Sequence, residues 1–296
     1  MTRQIVGYGQ NAPLIFWPNH AKVAVNFVLN YEEGAELTPV NGDKFSETYG
    51  GEFPLASKPE GMRNLSMESL FEYGSRAGLW RLIRLFEAEN IPLTFFITGL
   101  ALTLNPELSQ YLKTSDHEIA GHGWRWIDYA QMAKGDEKEH ILRCRSTIKE
   151  LTGKLVQGWY TGRRSENTRD LLIEVGGFLY DSDSYADELP YFEDSHLIIP
   201  YTLDCNDFRF STSPGFANGD AFFTHLKNTI DYLYAEKRPA IMTIGLHARI
   251  SGHPGRCMAI KQFIDYLKQF PALWITRRID IAKFWLKLHK QSKGPQ

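Results

Sequence analysis

The chain has 296 residues, 43% hydrophobic, 13% aromatic and 23% charged, with 33 Lys and Arg against 35 Asp and Glu. This is the composition of a soluble globular protein with ample core material, and it excludes a disordered or fibrous chain. A formal net charge of −2 gives no general electrostatic attraction to nucleic acid or anionic membrane, so neither is an expected partner.

The longest mainly apolar stretch, Pro92 to Leu104, is broken by Thr94, Thr98, Gly99 and Thr103. It also falls short of the roughly 20 residues that a bilayer requires. The N-terminal stretch lacks the continuous apolar run and small-residue cleavage site of a signal peptide. Cys144, Cys205 and Cys257 are odd in number and far apart, which suggests neither a disulfide framework nor a CxxC metal clip. A reducing cytoplasm is the expected setting.

In chain order, Lys22 to Leu29 reads as a buried strand, and Leu79, Leu82, Ile83 and Phe86 form one apolar helical stripe that Pro92 closes off. Leu93 to Thr98 is the next strand, with a helix after Asn105-Pro106. A short strand at Glu118 to Gly121 precedes a helix from about Asp136 to Leu151, ended by Gly153. Gln157 to Tyr160 reads as a strand and Asn167 to Val175 as a helix stopped by Gly176-Gly177. Phe178 to Tyr180 and Leu197 to Leu203 look extended, and Asp220 to Glu236 helical. Ala240 to Leu246 is a strand, Met258 to Gln269 a helix, and Leu273 to Thr276 with Ile279 to Leu288 a last strand and helix. About seven strand–helix units in one chain predict an α/β fold, a single distorted (β/α) barrel in one catalytic domain spanning the chain. Two stretches stand outside the repeat. Glu33 to Leu65 is a long Gly- and Pro-rich excursion, and Tyr185 to His196 is a polar-aromatic connection; each is either functional or a surface loop.

Polar residues recur just after the predicted strands: Glu32 and Glu33, His122, Arg163 and Arg164, Asp181 and Asp183, Asp204 and Asp207, and His247. In a β/α barrel these ends converge on the face where active sites are built. Carboxylates, imidazoles and guanidinium groups gathered there can deprotonate water, polarise a carbonyl and protonate a leaving nitrogen. Singly, each has a plainer reading as a solvated pair, a structural histidine or a helix cap.

The order of these motifs resembles the polysaccharide deacetylase (NodB-homology) superfamily over roughly residues 20 to 280. The superfamily's Thr-Phe-Asp-Asp-Gly motif corresponds to Asn30-Tyr31-Glu32-Glu33-Gly34. Its His-x-x-x-His pair corresponds to His122 and Trp126 in the block from His117, and its late Leu-His motif to Leu246-His247. The resemblance implies a distorted β/α barrel. Metal-dependent members hold a divalent ion with the second Asp and both His residues. Here those positions carry Glu33, His122 and Trp126, and an indole cannot ligate. His117 lies on the other side of a short strand and is a poor substitute. Tyr160 stands where an arginine usually follows the next strand, with Arg163 three residues on. No metal and no other cofactor is therefore expected.

The same changes mark one branch, the cofactor-independent allantoinases of bacterial urate catabolism. The shared blocks include Leu29 to Gly34, Gly121 to Ile127, Gly158 to Arg163, Gly177 to Asp183, Asp204 to Asp207 and Leu246 to Arg256. The resemblance implies a hydrolase that opens the hydantoin ring of allantoin, a neutral small molecule, to allantoate. Glu32, Glu33, His122 and His247 are the expected catalytic residues. Trp126, Tyr160, Arg163 and Asp207 are expected to bind substrate. Either glutamate can be the base for water; His122, His247 and Arg163 can stabilise the oxyanion, or His247 can act as the acid. Trp126 either fills the vacated metal position or simply packs, and Asn206 and Asp207 either recognise the ureido arm or shape a turn. The branch forms tetramers, so a homo-oligomer is expected. Two alternatives remain: a metal-dependent deacetylase of N-acetylated sugars, and an inactive barrel that binds a ligand.

Overall fold

The computed structural model describes residues 3–52, 57–236 and 238–292. Its first strand, β1 (Val23–Tyr31), is buried along its whole length and pairs in parallel with β2 (Leu93–Ile97) and β8 (Ala240–His247). From β2 the sheet runs in parallel through β3 (Glu118–Gly121), β4 (Gly158–Trp159), β5 (Tyr180–Asp181) and β7 (His196–Ile198). The edge strand β6 (Tyr191–Glu193) pairs antiparallel with β7, and β9 (Leu273–Ile275) pairs with the first half of β1.

The curled sheet is the distorted α/β barrel read from the strand–helix alternation. Among the described residues, no ladder strand joins β7 to β8. Irregular chain seals that seam instead: Asn206 bridges to Gly245, the Thr243 amide donates to Thr202 Oγ1, and the Ile241 amide donates to the Glu188 carbonyl. The distortion is this seam.

Two-residue periodicity sets what faces the interior. In β1, Val23, Val25, Phe27, Leu29 and Tyr31 pack outward with the helices in the main apolar cluster, which leaves Asn26, Val28 and Asn30 on the opposite face. Val28 meets Phe96, Ala120, Tyr160 and Tyr201 there as a small interior cluster. The same alternation holds in β8, where Met242, Ile244 and Leu246 face outward.

Most helices lie where the apolar stripes predict them: α2 (Leu79–Ala88), α4 (Pro106–Thr114), α5 (Lys134–Thr152), α6 (Thr168–Val175), α7 (Gly219–Ala235), α9 (Pro254–Leu267) and α10 (Arg278–Ser292). Their ends follow capping chemistry. The side chains of Asn105 and Asn218 accept from the amides of Leu108 and Ala221, and Gly153 closes α5 in the left-handed conformation at φ 74°. Three short helical pieces have no sequence counterpart above: α1 (Leu65–Tyr73), α3 (Gly99–Leu104) and α8 (Ala248–Ser251). A π-helical turn at Gly74–Gly78 joins α1 to α2. Such turns are uncommon and concentrate at functional sites.

The Glu33 to Leu65 excursion is largely irregular, with one 3-10 turn at Pro39–Asn41, and its residues 53–56 lie outside the described ones. It folds across the C-terminal strand ends. Arg125 pins it through both Asp43 oxygens at 2.8 and 2.6 Å, and Arg256 through both Glu52 oxygens at 2.5 Å. The Tyr185 to His196 connection, expected without regular structure, contains the β6 strand. No described helix is long and apolar enough to cross a membrane.

Candidate active site

The strand parity that builds the interior also delivers the site. After β1, Glu32 continues the inward set and Glu33 the outward one. Gly34, at φ 88°, then turns the chain, and the Ala35 amide donates back to the Glu32 carbonyl. In β3, Glu118 and Ala120 alternate with Ile119, which brings His122 inward; in β8 the same rule brings His247 inward. A cavity of about 2260 Å³ opens over these ends, and Glu32, His122, Trp126, Tyr160, Arg163 and His247 line it.

At its floor the Glu32 carboxylate faces both imidazoles: Oε1 is 3.0 Å from His122 Nε2 and 3.4 Å from His247 Nε2. His122 Nδ1 contacts the Tyr160 carbonyl, which can only accept, so that nitrogen carries a hydrogen. His247 is oriented likewise. Its Nδ1 donates to Asp207 Oδ1 at 2.6 Å, while Asp207 Oδ2 accepts from the amides of His247 at 2.8 Å and Ser251 at 3.2 Å.

Electrostatics separates the groups. Burial pushes the Glu32 carboxyl up, but Arg249, His247 and hydrogen bonds from the two imidazoles outweigh it and hold it well below the usual carboxylate range. Burial alone would discharge His247; Glu32 and Asp207 reverse this and lift it to about 9. Burial pushes Glu33 up to about 7 against the opposing charge of Arg249, with the Glu32 charge adding to the rise. Burial raises Glu36 to about 7 as well. At neutral pH the site therefore holds an ionised Glu32 beside a protonated His247.

The other expected residues are placed as follows. Tyr160 stacks on His122 with ring centres 5.3 Å apart, and its hydroxyl meets that of Tyr185 at 2.8 Å. Arg163 donates from Nη2 to the Trp126 carbonyl and lies 4.3 Å from the centre of that indole. Trp126 packs against Phe71, and Tyr49 of the excursion lies near both Trp126 and Phe208. The Asn206 side chain accepts from the Phe208 amide and caps the 3-10 helix Asp207–Ser211, so it shapes a turn.

Two placements differ from expectation. Asp207 was expected to touch substrate, but it is fully buried beneath His247, and the His247 and Ser251 groups take up both its oxygens. Glu33, expected among the catalytic groups, points away from the cavity: its Oε2 accepts from the Glu32 amide at 2.8 Å. The odd position of Glu33 relative to the strand pleat is the cause. His117 sits at the opposite end of β3, accepting from the Leu93 amide and touching the Tyr111 hydroxyl.

Sequence reasoning did not single out Arg249, two residues past His247. Its guanidinium is almost fully buried, with Nη1 2.7 Å from Glu32 Oε2 and 4.0 Å from Glu33 Oε1. The close contact lacks hydrogen-bond alignment: among the described residues, Arg249 Nε, Nη1 and Nη2, Glu32 Oε2 and Glu33 Oε1 have no hydrogen-bond partner. Its proximity in sequence to His247 was the available signal.

These residues do not fit the divalent ion of metal-dependent deacetylases. Trp126 stands at one ligand position, the carboxylate at a second is turned onto the Glu32 backbone, and a guanidinium already contacts Glu32. A further cation would meet that buried charge in a low-dielectric setting. Among the described residues, the one group of three donors within 4.8 Å is Asp204, Cys205 and His225, which shares no residue with the Glu32 constellation.

The polysaccharide deacetylase family model matches residues 63–176. A Schizosaccharomyces pombe protein carrying the polysaccharide deacetylase name is 37% identical, covering 92% of this chain and 93% of its own. Among solved structures, PuuE allantoinase superposes with a TM-score of 0.95 at 48% identity, covering 98% of both chains. A Pseudomonas aeruginosa PAO1 protein described as a polysaccharide deacetylase superposes with a TM-score of 0.95 at 47% identity, over 98% of this chain and 99% of that one. The chain belongs to the polysaccharide deacetylase family and is a hydrolase of that superfamily.

Proposed function

We propose that this hydrolase is an allantoinase, opening the hydantoin ring of allantoin to allantoate without a metal ion. The observation that carries the reading is the chain Asp207–His247–Glu32, which sets a protonated imidazole against an ionised carboxylate on the cavity floor. The 48% identity to PuuE allantoinase over 98% of both chains supports it.

In this reading Glu32 takes a proton from water as the water oxygen bonds to the ring amide carbon. The tetrahedral oxyanion needs preset positive charge or donors, each worth about 3 kcal/mol. Arg163, which lines the cavity, supplies such a charge, and His122 holds the Glu32 carboxylate in place. As the oxyanion collapses, the carbon–nitrogen bond breaks and His247 Nε2–H protonates the leaving nitrogen. The 3.4 Å approach of Glu32 Oε1 to His247 Nε2 then gives a direct return path for the proton held on Glu32. Trp126 and Tyr160 offer flat walls to a planar ring.

Side-by-side assays test this. Allantoin and a chitin oligosaccharide are each incubated with the protein, and allantoate and acetate are followed. Allantoate formation with no acetate release is expected; acetate release without allantoate would replace the reading with deacetylation.

A further inference from the structure

We infer that the guanidinium of Arg249 stands in for the missing divalent cation and is the positioning residue that fixes the Glu32 carboxylate. The inference rests on the functional reading above and names a device in the same site.

The geometry is unusual for a structural arginine. Arg249 belongs to the single-turn helix α8 directly after β8, and its side chain runs inward rather than out to solvent. Two aromatic rings form a corner beside it, Phe71 4.3 Å and Trp126 4.9 Å from the guanidinium carbon with their own centres 5.7 Å apart. Its charged end meets Glu32 at 2.7 Å and approaches Glu33 at 4.0 Å. The indole at one former ligand position thus forms a wall of the cation's enclosure, and the residue at another faces the cation from outside. A buried, planar, permanently charged group resting on aromatic faces is what arginine provides and lysine does not.

The scaffold makes room for it. Gly74 opens the π-helical turn after α1, and a Cβ there would stand 2.4 Å from Glu33 Oε1 and 2.8 Å from the Arg249 amide nitrogen. No side chain fits between them. The turn, the glycine, the arginine and the two glutamates therefore form one packed unit. Among the described residues the guanidinium nitrogens and the facing Glu32 Oε2 and Glu33 Oε1 have no aligned hydrogen bond, so their pairing holds by charge and enclosure.

The test removes the guanidinium and then returns it from solution. In Arg249→Ala, kcat on allantoin should fall about 100-fold or more with KM little changed, because Arg249 is not among the cavity-lining residues. Guanidinium ion at tens of millimolar should restore at least tenfold of that loss, while methylammonium should not. A substrate-independent measurement runs alongside: titration calorimetry should detect guanidinium binding to Arg249→Ala, none to wild type, and none to Glu32→Gln/Arg249→Ala. Arg249→Lys, the variant closest in charge, should stay well below wild type and serves if the alanine variant does not fold. Wild-type kcat in Arg249→Ala or Arg249→Lys, guanidinium binding that ignores Glu32, or failure of both variants to fold would overturn the inference. If the wild type does not open allantoin, the proposed function falls, and the calorimetry still decides the role of Arg249.

Discussion

The barrel buries two arginines, and they are solved in opposite ways. Arg278, at the start of α10, is fully enclosed in the barrel interior. All five of its N–H groups find acceptors: Ser182, Asn26 and Thr243 side chains, and the carbonyls of Ile199 and Pro200. Neighbouring Glu118 is equally satisfied, accepting from Tyr180, Thr94 and the Ile279 amide. Arg249, at the other end of the same strands, has carboxylates for company and no aligned hydrogen bond. The contrast separates a polar group that specifies the fold from one held ready for chemistry. A completed network rigidifies, whereas a buried ion pair without aligned hydrogen bonds persists only where the surroundings enforce it.

Four substitutions can break or sharpen that contrast. The largest effect belongs to the chemical end: Glu32→Gln keeps the shape and removes the base, so kcat on allantoin should fall about 1000-fold while Tm changes little. At the structural end the signs exchange. Arg278→Met strands five acceptors and should cost about 3 kcal/mol or more of stability, lowering Tm in a calorimetric scan while leaving kcat of the folded enzyme intact. If Arg278→Met instead lost activity at unchanged Tm, the division between the two ends would be wrong.

Asp207→Asn is next, with kcat reduced about 100-fold because His247 loses its orienting carboxylate. The pH profile carries the specific signature. His247 must be protonated to act as an acid and is raised to about 9, so activity should fall above that pH. Removing the Asp207 charge lowers that value, and the alkaline limb should move toward neutrality. An unmoved limb would count against His247 as the acid.

The smallest effect concerns Glu36, which burial raises to about 7 from its ordinary 4.5. A carboxyl whose folded value is raised gives stability that is whole below its unfolded value and is lost as pH rises through the folded one. Wild type should therefore lose about 2 kcal/mol through this group between pH 5 and 8. Glu36→Gln should gain that much relative to wild type over the same interval in denaturant titrations at the two pH values.

Much of this was legible in the residues. The apolar runs of β1, β2 and β8 gave the parallel strands within one or two positions, and their two-residue pleat aimed Glu32, His122 and His247 into one cavity. Glu33 and Asp207 were harder: Glu33 falls on the outward parity of the same pleat, and a 3-10 helix contains Asp207. Arg249 carried only the weak signal of lying two residues past His247. A charged residue after a strand reads as solvated unless packing against Phe71, Trp126 and the π-helical turn is known, and the turn itself leaves no periodic signature. The β6 strand was missed because three residues of polar-aromatic chain carry too little alternation to register.

The central proposal is that this site supplies the charge for ring opening by its own side chains, with no divalent ion. The most direct measurement is the rate of allantoate formation by protein stripped of metal and assayed with excess chelator. The account predicts a rate equal to that of untreated protein, and no increase on adding zinc, cobalt or manganese. Loss of turnover under chelation, with recovery on adding a divalent ion, would contradict it.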